Sequence, residues 1–347
     1  MKLSKAIKDF TPKEYLWMKA GEPCWIELDV ETLPDRDGDV FIASRVVEWS
    51  AEKQTVKVEY EESGKGLPYE MHITRVYKRD PEKYPNLYDL VDMPVLNDAE
   101  LHQKIKDRFT QLDIFTYIGP SLLIVNPFKY LPDQYKEDLK KEFYKCIMHP
   151  ATNKVRDKPP HVWAIAASAY LELFNNNINQ ACCVSGESGA GKTVNTKTCM
   201  SFLTGMNEIF GTKVAKEGEF KIEDKILMCN PILEALGNAK TVRNDNSSRF
   251  GKYVSLYIDG KIVVGASIES YLLEAIRVTS PNKSERNYHV FYQLLAGAKD
   301  EELSHLRLKR DPSTYPFLAK SGCLTVPTID DIADYKEHEK SMEVNFK

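Results

Sequence analysis

"VSGESGAGKTVNTK", residues 184–197, decides how this chain folds. Gly186, Gly191, Lys192 and Thr193 satisfy G-x-x-x-x-G-K-[ST], with the apolar run "ACCV" (181–184) before them and an amphipathic helix pattern after. Glycines allow successive backbone N–H groups to turn inward around a phosphate with no Cβ in the way. A helix opening near Lys192 adds its positive end. The Lys192 ammonium reaches the outer phosphates of a nucleoside triphosphate, and the Thr193 hydroxyl can ligate Mg²⁺. Gly186, Glu187, Ser188, Gly189, Ala190, Gly191, Lys192 and Thr193 together form a candidate phosphate loop. The competing reading is a glycine-rich turn with an incidental lysine.

Around this loop the chain alternates helices and strands, the pattern of an α/β fold. "ACCV" reads as a short buried strand. Cys199, Phe202, Leu203, Met206, Ile209 and Phe210 follow as one helical core stripe. Upstream, 101–109 has helical spacing, 121–128 is a strand stopped by Asn126-Pro127, and 160–174 is a helix opening with proline. Downstream, 225–240 is helical but interrupted at Asn230-Pro231, with a stop at Gly237-Asn238. Asp259-Gly260 marks a hairpin between "YVSLYI" and "KIVVGASI", and 285–298 is a further helix.

The start differs. Residues 1–20 read as a mixed-charge extension. From 21 to 78, β-rich runs ("CWIELDV", "VFIASRVVEW", "QTVKVEY", "EMHITRVY") alternate with the turns "PDRDGD" and "ESGKGLP", a small antiparallel barrel of four or five strands. "KRDPEKYPN" (78–86) is the linker, and 79–347 is the α/β part.

Composition narrows the function. With 42% hydrophobic and 28% charged residues the chain is an ordinary globular protein, and a net charge of −4 gives no reason to expect nucleic acid binding. Cysteines 24, 146, 182, 183, 199, 229 and 323 form no C-x-x-C pair, which reads as small apolar thiols in a reducing cytosolic compartment. The histidines show no metal-ligand spacing, and neither a transmembrane segment nor a signal-peptide core is visible.

A triphosphate enzyme also needs groups that sense the γ-phosphate and complete the Mg²⁺ shell. "TVRNDNSSRFGKY" (241–253) supplies the amides of Asn244 and Asn246, the hydroxyls of Ser247 and Ser248, and the Arg249 cation. A polar turn entering a hairpin is the plainer alternative. "GESGAGKT" (186–193) together with "NDNSSRFGKY" resembles the myosin motor head, whose switch I reads N-x-N-S-S-R-F-G. "DIFTYIGPSLLIVNPFK" (113–129), "NPILEALGNAK" (230–240), "YLLEAIRVT" (271–279) and "ERNYHVFYQLLAGA" (285–298) agree with that family, and the β-rich start is similar to its SH3-like subdomain. Kinesins share N-x-x-S-S-R but continue with Ser-His, where this chain has Phe250-Gly251. A GTPase would carry N-K-x-D, and "NKVR" (153–156) has arginine at its end.

The resemblance implies a myosin-head-like P-loop NTPase with a mixed central sheet flanked by helices, preceded by the SH3-like barrel. It implies ATP and Mg²⁺ as ligands, with Ser248 joining Thr193 on the metal. Asn244 would contact the phosphates, Ser188 and Ser247 would approach the γ-phosphate and attacking water, and Asn246 would shape the loop. Arg249 would pair with a switch II glutamate. Asn126, Pro127 and Tyr135 would hold the adenine, with 211–220 a variable loop at its mouth. Partners would be actin filaments and a light chain or calmodulin-like protein, in the cytoplasm with the cytoskeleton.

The pattern departs in places. Val194 stands where glutamate usually follows G-K-T, Tyr135 lies one residue further from Asn126 than is common, and Ala275-Ile276 replace Lys-Ser. Switch II, D-x-x-G-F-E, is not found; Asp35–Gly38 falls in a barrel turn, and Asp259 is better explained by its Asp-Gly turn. The leading expectation is thus the N-terminal half of a motor head, with Arg249 left a costly unpaired charge if its site is buried. The alternatives are a non-hydrolysing nucleotide-binding module complete in itself and a kinesin-like microtubule motor.

Overall fold

Val56 and Val58 are buried while Lys57 and Glu59 between and beside them are exposed, and this period of two makes 55–60 a strand with one core face. A computed structural model describes residues 15, 17–28, 40–50, 52–61, 69–82, 84, 87–211 and 222–346. They divide into two units, Met1–Pro127 and Phe128–Lys347.

In the first unit, β1 (Pro23–Glu27), β2 (Phe41–Ser50), β3 (Thr55–Tyr60), β4 (Tyr69–His72) and β5 (Val76–Lys78) form an antiparallel sheet in the order β4-β3-β2-β1-β5. Ile26, Val46, Val56, Val58 and Ile73 form its core. The run expected as one strand, 70–77, is broken by a 3₁₀ turn at Ile73–Arg75 into β4 and β5. Among the described residues β4 and β5 form no ladder with each other. The turns at 34–39 and 62–68 and most of the 1–20 extension lie outside the described residues.

The expected linker is tied down at Asp80. Helix α1 (Asp98–Thr110), capped by the Asn97 side chain, presents the buried Glu100, which accepts hydrogen bonds from Trp25 Nε1 (2.7 Å) and the Asp80 amide (2.8 Å). The hairpin of β6 (Phe115–Ile118) and β7 (Ser121–Ile124) follows, with Asn126-Pro127 after it.

The second unit contains α2 (Glu137–Met148), α3 (Val162–Asn176), α4 (Lys192–Thr204), α5 (Met206–Phe210) and α6 (Ile222–Gly237). After these come β8 (Asn238–Ala239), β9 (Ser247–Ser248), β10 (Gly251–Asp259) and β11 (Ile262–Tyr271). Last are α7 (His289–Gly297), α8 (Asp300–His305), α9 (Pro316–Ala319) and α10 (Asp331–Phe346). The expected hairpin of β10 and β11 forms, but its loop is Gly260-Lys261, one residue later than the expected Asp259-Gly260, because Asp259 pairs with Ile262.

Three expectations change here. The stripe from Cys199 to Phe210 is two helices that meet at Gly205, where a Cβ would collide with the Tyr144 hydroxyl, which itself donates to Phe202 O (3.1 Å). Phe202 and Met206 are nonetheless fully buried. Next, Pro231 does not interrupt α6. Proline lacks the N–H that would bond Leu227 O, and Asn230 Nδ2 donates to that carbonyl instead (3.0 Å), its own oxygen accepting from Lys252 Nζ (3.1 Å). A side chain thus fills the gap in the helical ladder.

The third concerns the central sheet. A strand exists only through ladder hydrogen bonds to a neighbour. Among the described residues nothing pairs with 181–184, which is exposed, and the sheets are all antiparallel. The expected buried strand and mixed central sheet are therefore not seen among these residues.

Candidate functional site

Gly189 and Gly191 adopt φ of +84° and +92°, values in which an L side chain is strained. They let the chain turn tightly from the exposed 181–186 segment into α4, with Ala190 N bonded to Glu187 O (3.2 Å). Gly191 caps α4, and Lys192 is its first residue. The Lys192 ammonium folds over its own loop and donates to Gly186 O (2.7 Å) and Glu187 O (2.8 Å).

The second candidate segment is held beside this loop. β9 pairs with β8 in the register Asn238↔Ser248 and Ala239↔Ser247, and Arg249 N bonds Gly237 O (2.9 Å). Gly237 is required here because the Phe250 ring lies where its Cβ would be. Ser247 is buried, and its hydroxyl meets the Ser188 hydroxyl at 2.8 Å. The two stretches singled out in the sequence therefore touch through the two serines expected to approach the γ-phosphate. Asn244 sits opposite Gly189 and organises the turn by accepting from Asn246 N (3.0 Å). Ser248 is exposed, and its hydroxyl donates to Phe250 O (3.1 Å). Thr193 is half-buried in the first turn of α4.

Three contributors escaped the sequence reading: Glu234, Asn238 and His289 all anchor Asn246. Asn246 Nδ2 donates to Glu234 Oε2 (3.0 Å), and its Oδ1 accepts from Asn238 Nδ2 (2.8 Å) and from His289 Nε2 (3.2 Å). The available signal was a charged residue inside an apolar helical run, Glu234 in "NPILEALG".

Arg249 overturns an expectation. Rather than standing unpaired, its Nε donates to Glu274 Oε2 (2.7 Å), while Glu274 N donates to Arg249 O (3.0 Å). Glu274 also accepts from Arg277 Nε (2.6 Å), and Arg277 continues to Glu285 (3.0 Å). Two carboxylates balance two guanidiniums, so no uncompensated charge is buried there.

Of the adenine candidates, Asn126 and Pro127 lie in a half-buried loop after β7. Tyr135 closes a 3₁₀ turn and packs edge-on against His161 and Trp163 at centroid distances of 5.5 and 6.2 Å. Most of the variable loop, 212–220, lies outside the described residues.

Burial, and then the nearby Arg286 charge, hold the His289 ring down at about 4 from its ordinary 6.5. The folded chain keeps this ring neutral, whereas an unfolded chain protonates it below 6.5. Its stabilising contribution is complete above pH 6.5 and drains away as pH falls toward 4. The urea-midpoint advantage of the natural chain over His289→Gln, which keeps a donor but cannot titrate, should shrink across that window. An advantage that does not vary with pH would rule this out.

The donor set fits a phosphate ligand: a cation, hydroxyls and a helix N-terminus meet at a turn in which Gly189 and Gly191 carry no Cβ. A family model described as the myosin head (motor domain) matches residues 87–346. The chain belongs to the myosin head family. Myosin-7 of Arabidopsis thaliana is 38% identical over 327 residues, covering 93% of this chain and 17% of that protein. Myosin-2B of Naumovozyma castellii is 36% identical over 338 residues, 94% of this chain and 23% of that protein. Myosin-51 of Schizosaccharomyces pombe is 41% identical over 248 residues, 71% of this chain and 16% of that protein. The chain thus spans less than a quarter of the length of these curated relatives. Membership of the myosin head family implies a P-loop NTPase-like motor fold. Where a myosin head usually has glutamate after G-K-T, Val194 projects into solvent from the first turn of α4, 59% exposed. Ala275-Ile276 lie in the 3₁₀ turn Ala275–Val278, with Ile276 exposed. No helix among the described residues is long and apolar enough to cross a membrane.

Proposed function

We propose that this chain carries the nucleotide-binding part of an actin-based myosin motor, binding Mg·ATP and supporting its hydrolysis in the complete head. The observation that supports this reading is the Ser188–Ser247 hydroxyl contact at 2.8 Å, which holds residue 188 of the proposed phosphate loop against residue 247 of the proposed switch I. Residues 186–193 present backbone amides to the phosphates, and Lys192 leaves its own carbonyls to neutralise the outer ones. Asn244 faces the phosphates across Gly189, Ser188 and Ser247 orient the water, and Arg249, held by Glu274, fixes the end of the loop. Thr193 and Ser248 would hold Mg²⁺, whose charge offsets that developing on the γ-phosphate. Asn126, Pro127 and Tyr135 are carried as adenine contacts on the resemblance alone. The same reading takes 1–20 as an extension, 21–78 as an SH3-like barrel and 79–347 as motor. It places the protein in the cytoplasm with actin filaments and a light chain or calmodulin-like subunit.

The test uses a fluorescent ATP analogue titrated with and without Mg²⁺. Ser248→Ala is expected to weaken the Mg²⁺-dependent part of binding by about tenfold, the equivalent of one charge-assisted contact of ~1.4 kcal/mol, leaving the metal-free part unchanged. Equal loss of both would remove Ser248 from the metal site.

A further inference from the structure

Thr193 and Lys197 stand four residues apart in α4, so both project from one face of that helix. Lys197 Nζ lies 2.6 Å from Glu234 Oε1 on α6. The other oxygen of the same carboxylate, Oε2, accepts from Asn246 Nδ2 at 3.0 Å. One side chain therefore joins the helix that follows the 186–193 turn to the 244–249 segment. Asn246 has two further side-chain anchors, Asn238 and His289, both on its Oδ1. Glu234 differs from them in two respects. It carries a full charge, and of the three it alone pairs with α4 among the described residues. Its place is set by the last turn of α6, one turn after Asn230, whose side chain is held between Leu227 O and Lys252. The side chains of Glu234 and Lys197 are 23% and 38% exposed, so their pair contributes little to global stability. What it can do is fix a position.

We propose that Glu234 is a positioning residue that sets the 244–249 segment against α4, with Lys197 as the far end of the link. A carboxylate held by Lys197 at one oxygen offers the other oxygen in a fixed place, and Asn246 Nδ2 takes it. That bond turns the Asn246 amide so that its Oδ1 faces Asn238 and His289. Asn246 N donates to Asn244 Oδ1 (3.0 Å), and Asn244 Nδ2 donates to Asn246 O (3.3 Å). The hold on one amide thus passes to the whole turn, and to Ser247 and Ser248 directly after it. An amide in place of the carboxylate, Glu234→Gln, keeps an acceptor for Asn246 but has no charge to hold Lys197. Its effect on Mg·ATP rests on the function proposed above; the coupling between α4 and 244–249 does not.

The experiment measures amide hydrogen exchange in the full, nucleotide-free chain and its variants. Lys197→Met is expected to speed exchange at Asn246, Ser247 and Ser248 about two- to fivefold, the size of a partly exposed ion pair. Lys197→Arg, which keeps the pair, should restore the natural rate. Glu234→Gln should match Lys197→Met, and the double variant should be no faster than either single, since each breaks the same link. The urea midpoint of Lys197→Met should hold. Unchanged exchange at 246–248 in Lys197→Met, or additive effects in the double variant, would overturn the proposal. A rise that spreads over α7 together with a lower urea midpoint would overturn it as well, because it marks a merely structural role. Release of a fluorescent ATP analogue in Mg²⁺ gives the second readout, with faster release expected in Lys197→Met and reversal in Lys197→Arg. The exchange pattern with unchanged release would overturn the effect on nucleotide. A chain that shows the exchange pattern but binds no nucleotide in any variant would overturn the function proposed above and leave the positioning role standing.

Discussion

Lys192→Ala is expected to lose Mg·ATP affinity by roughly 10²–10⁴-fold, the equivalent of two charge-assisted hydrogen bonds of ~1.5–3 kcal/mol each. Lys192 is the only cation within 186–193, where Glu187 is a carboxylate of opposite sign. Its ammonium lies over the loop, bonded to two loop carbonyls that it can exchange for phosphate oxygens without moving the backbone. A structural objection is that those same bonds hold the loop in shape. Lys192→Arg answers it: the charge remains, but the longer planar head cannot occupy the same point, so affinity should fall while the urea midpoint holds. Arg243 is the natural control, since its pair with Glu187 is exposed on both sides and 3.8 Å long. Arg243→Ala should change affinity little, as exposed pairs contribute little. Isothermal titration of the three variants decides the matter. Unchanged affinity in Lys192→Ala would remove the phosphate-site assignment altogether.

What the sequence revealed and what it concealed follow a physical division. The phosphate loop was legible because its demands are local: positive φ at glycine, a helix start and a lysine, all within a few residues. The β10–β11 hairpin was legible for the same reason. Glu274 as the partner of Arg249 was not, since the two are brought together only by the intervening hairpin, and the resemblance pointed to a different carboxylate. Pro231 misled because a rule about backbone donors holds only when no side chain supplies the missing one, and Asn230 does. The run 181–184 misled in the opposite sense. An apolar run states what could be a strand, while pairing depends on neighbours the run itself does not contain.

Asp331→Ala is expected to destabilise the chain by about 3–5 kcal/mol, the usual cost of removing one member of a buried ion pair. Arg286 is fully buried. Its Nη2 donates to both Asp331 oxygens (2.8 and 2.9 Å), and its guanidinium lies 3.8 Å from the centre of the Tyr292 ring. Arg286 Nε and Nη1 have no hydrogen-bond partner among the described residues, so Asp331 bears most of the task of compensating this charge. Burial pushes the Asp331 carboxyl above its ordinary range while the arginine pulls it down, which shows the desolvation that the pair sustains. A loss of this size is a large fraction of the ~5–15 kcal/mol that holds a domain together, and it should appear as a lower urea midpoint. Arg286→Met combined with Asp331→Ala discriminates the cause. If the cost comes from an orphaned charge, the double variant recovers most of it, because an apolar pair of similar volume replaces the ionic one. If the double variant is as unstable as the single, packing at the start of α10 is responsible instead. The effect should reach the Ser188–Ser247 contact as well. Arg286 begins the stretch that leads into α7, where His289 holds the Asn246 amide, so loosening Arg286 should loosen the 244–249 segment before the 186–193 turn. In Asp331→Ala, hydrogen exchange is therefore expected to rise first at Asn246 and Ser247, ahead of Gly189 and Gly191.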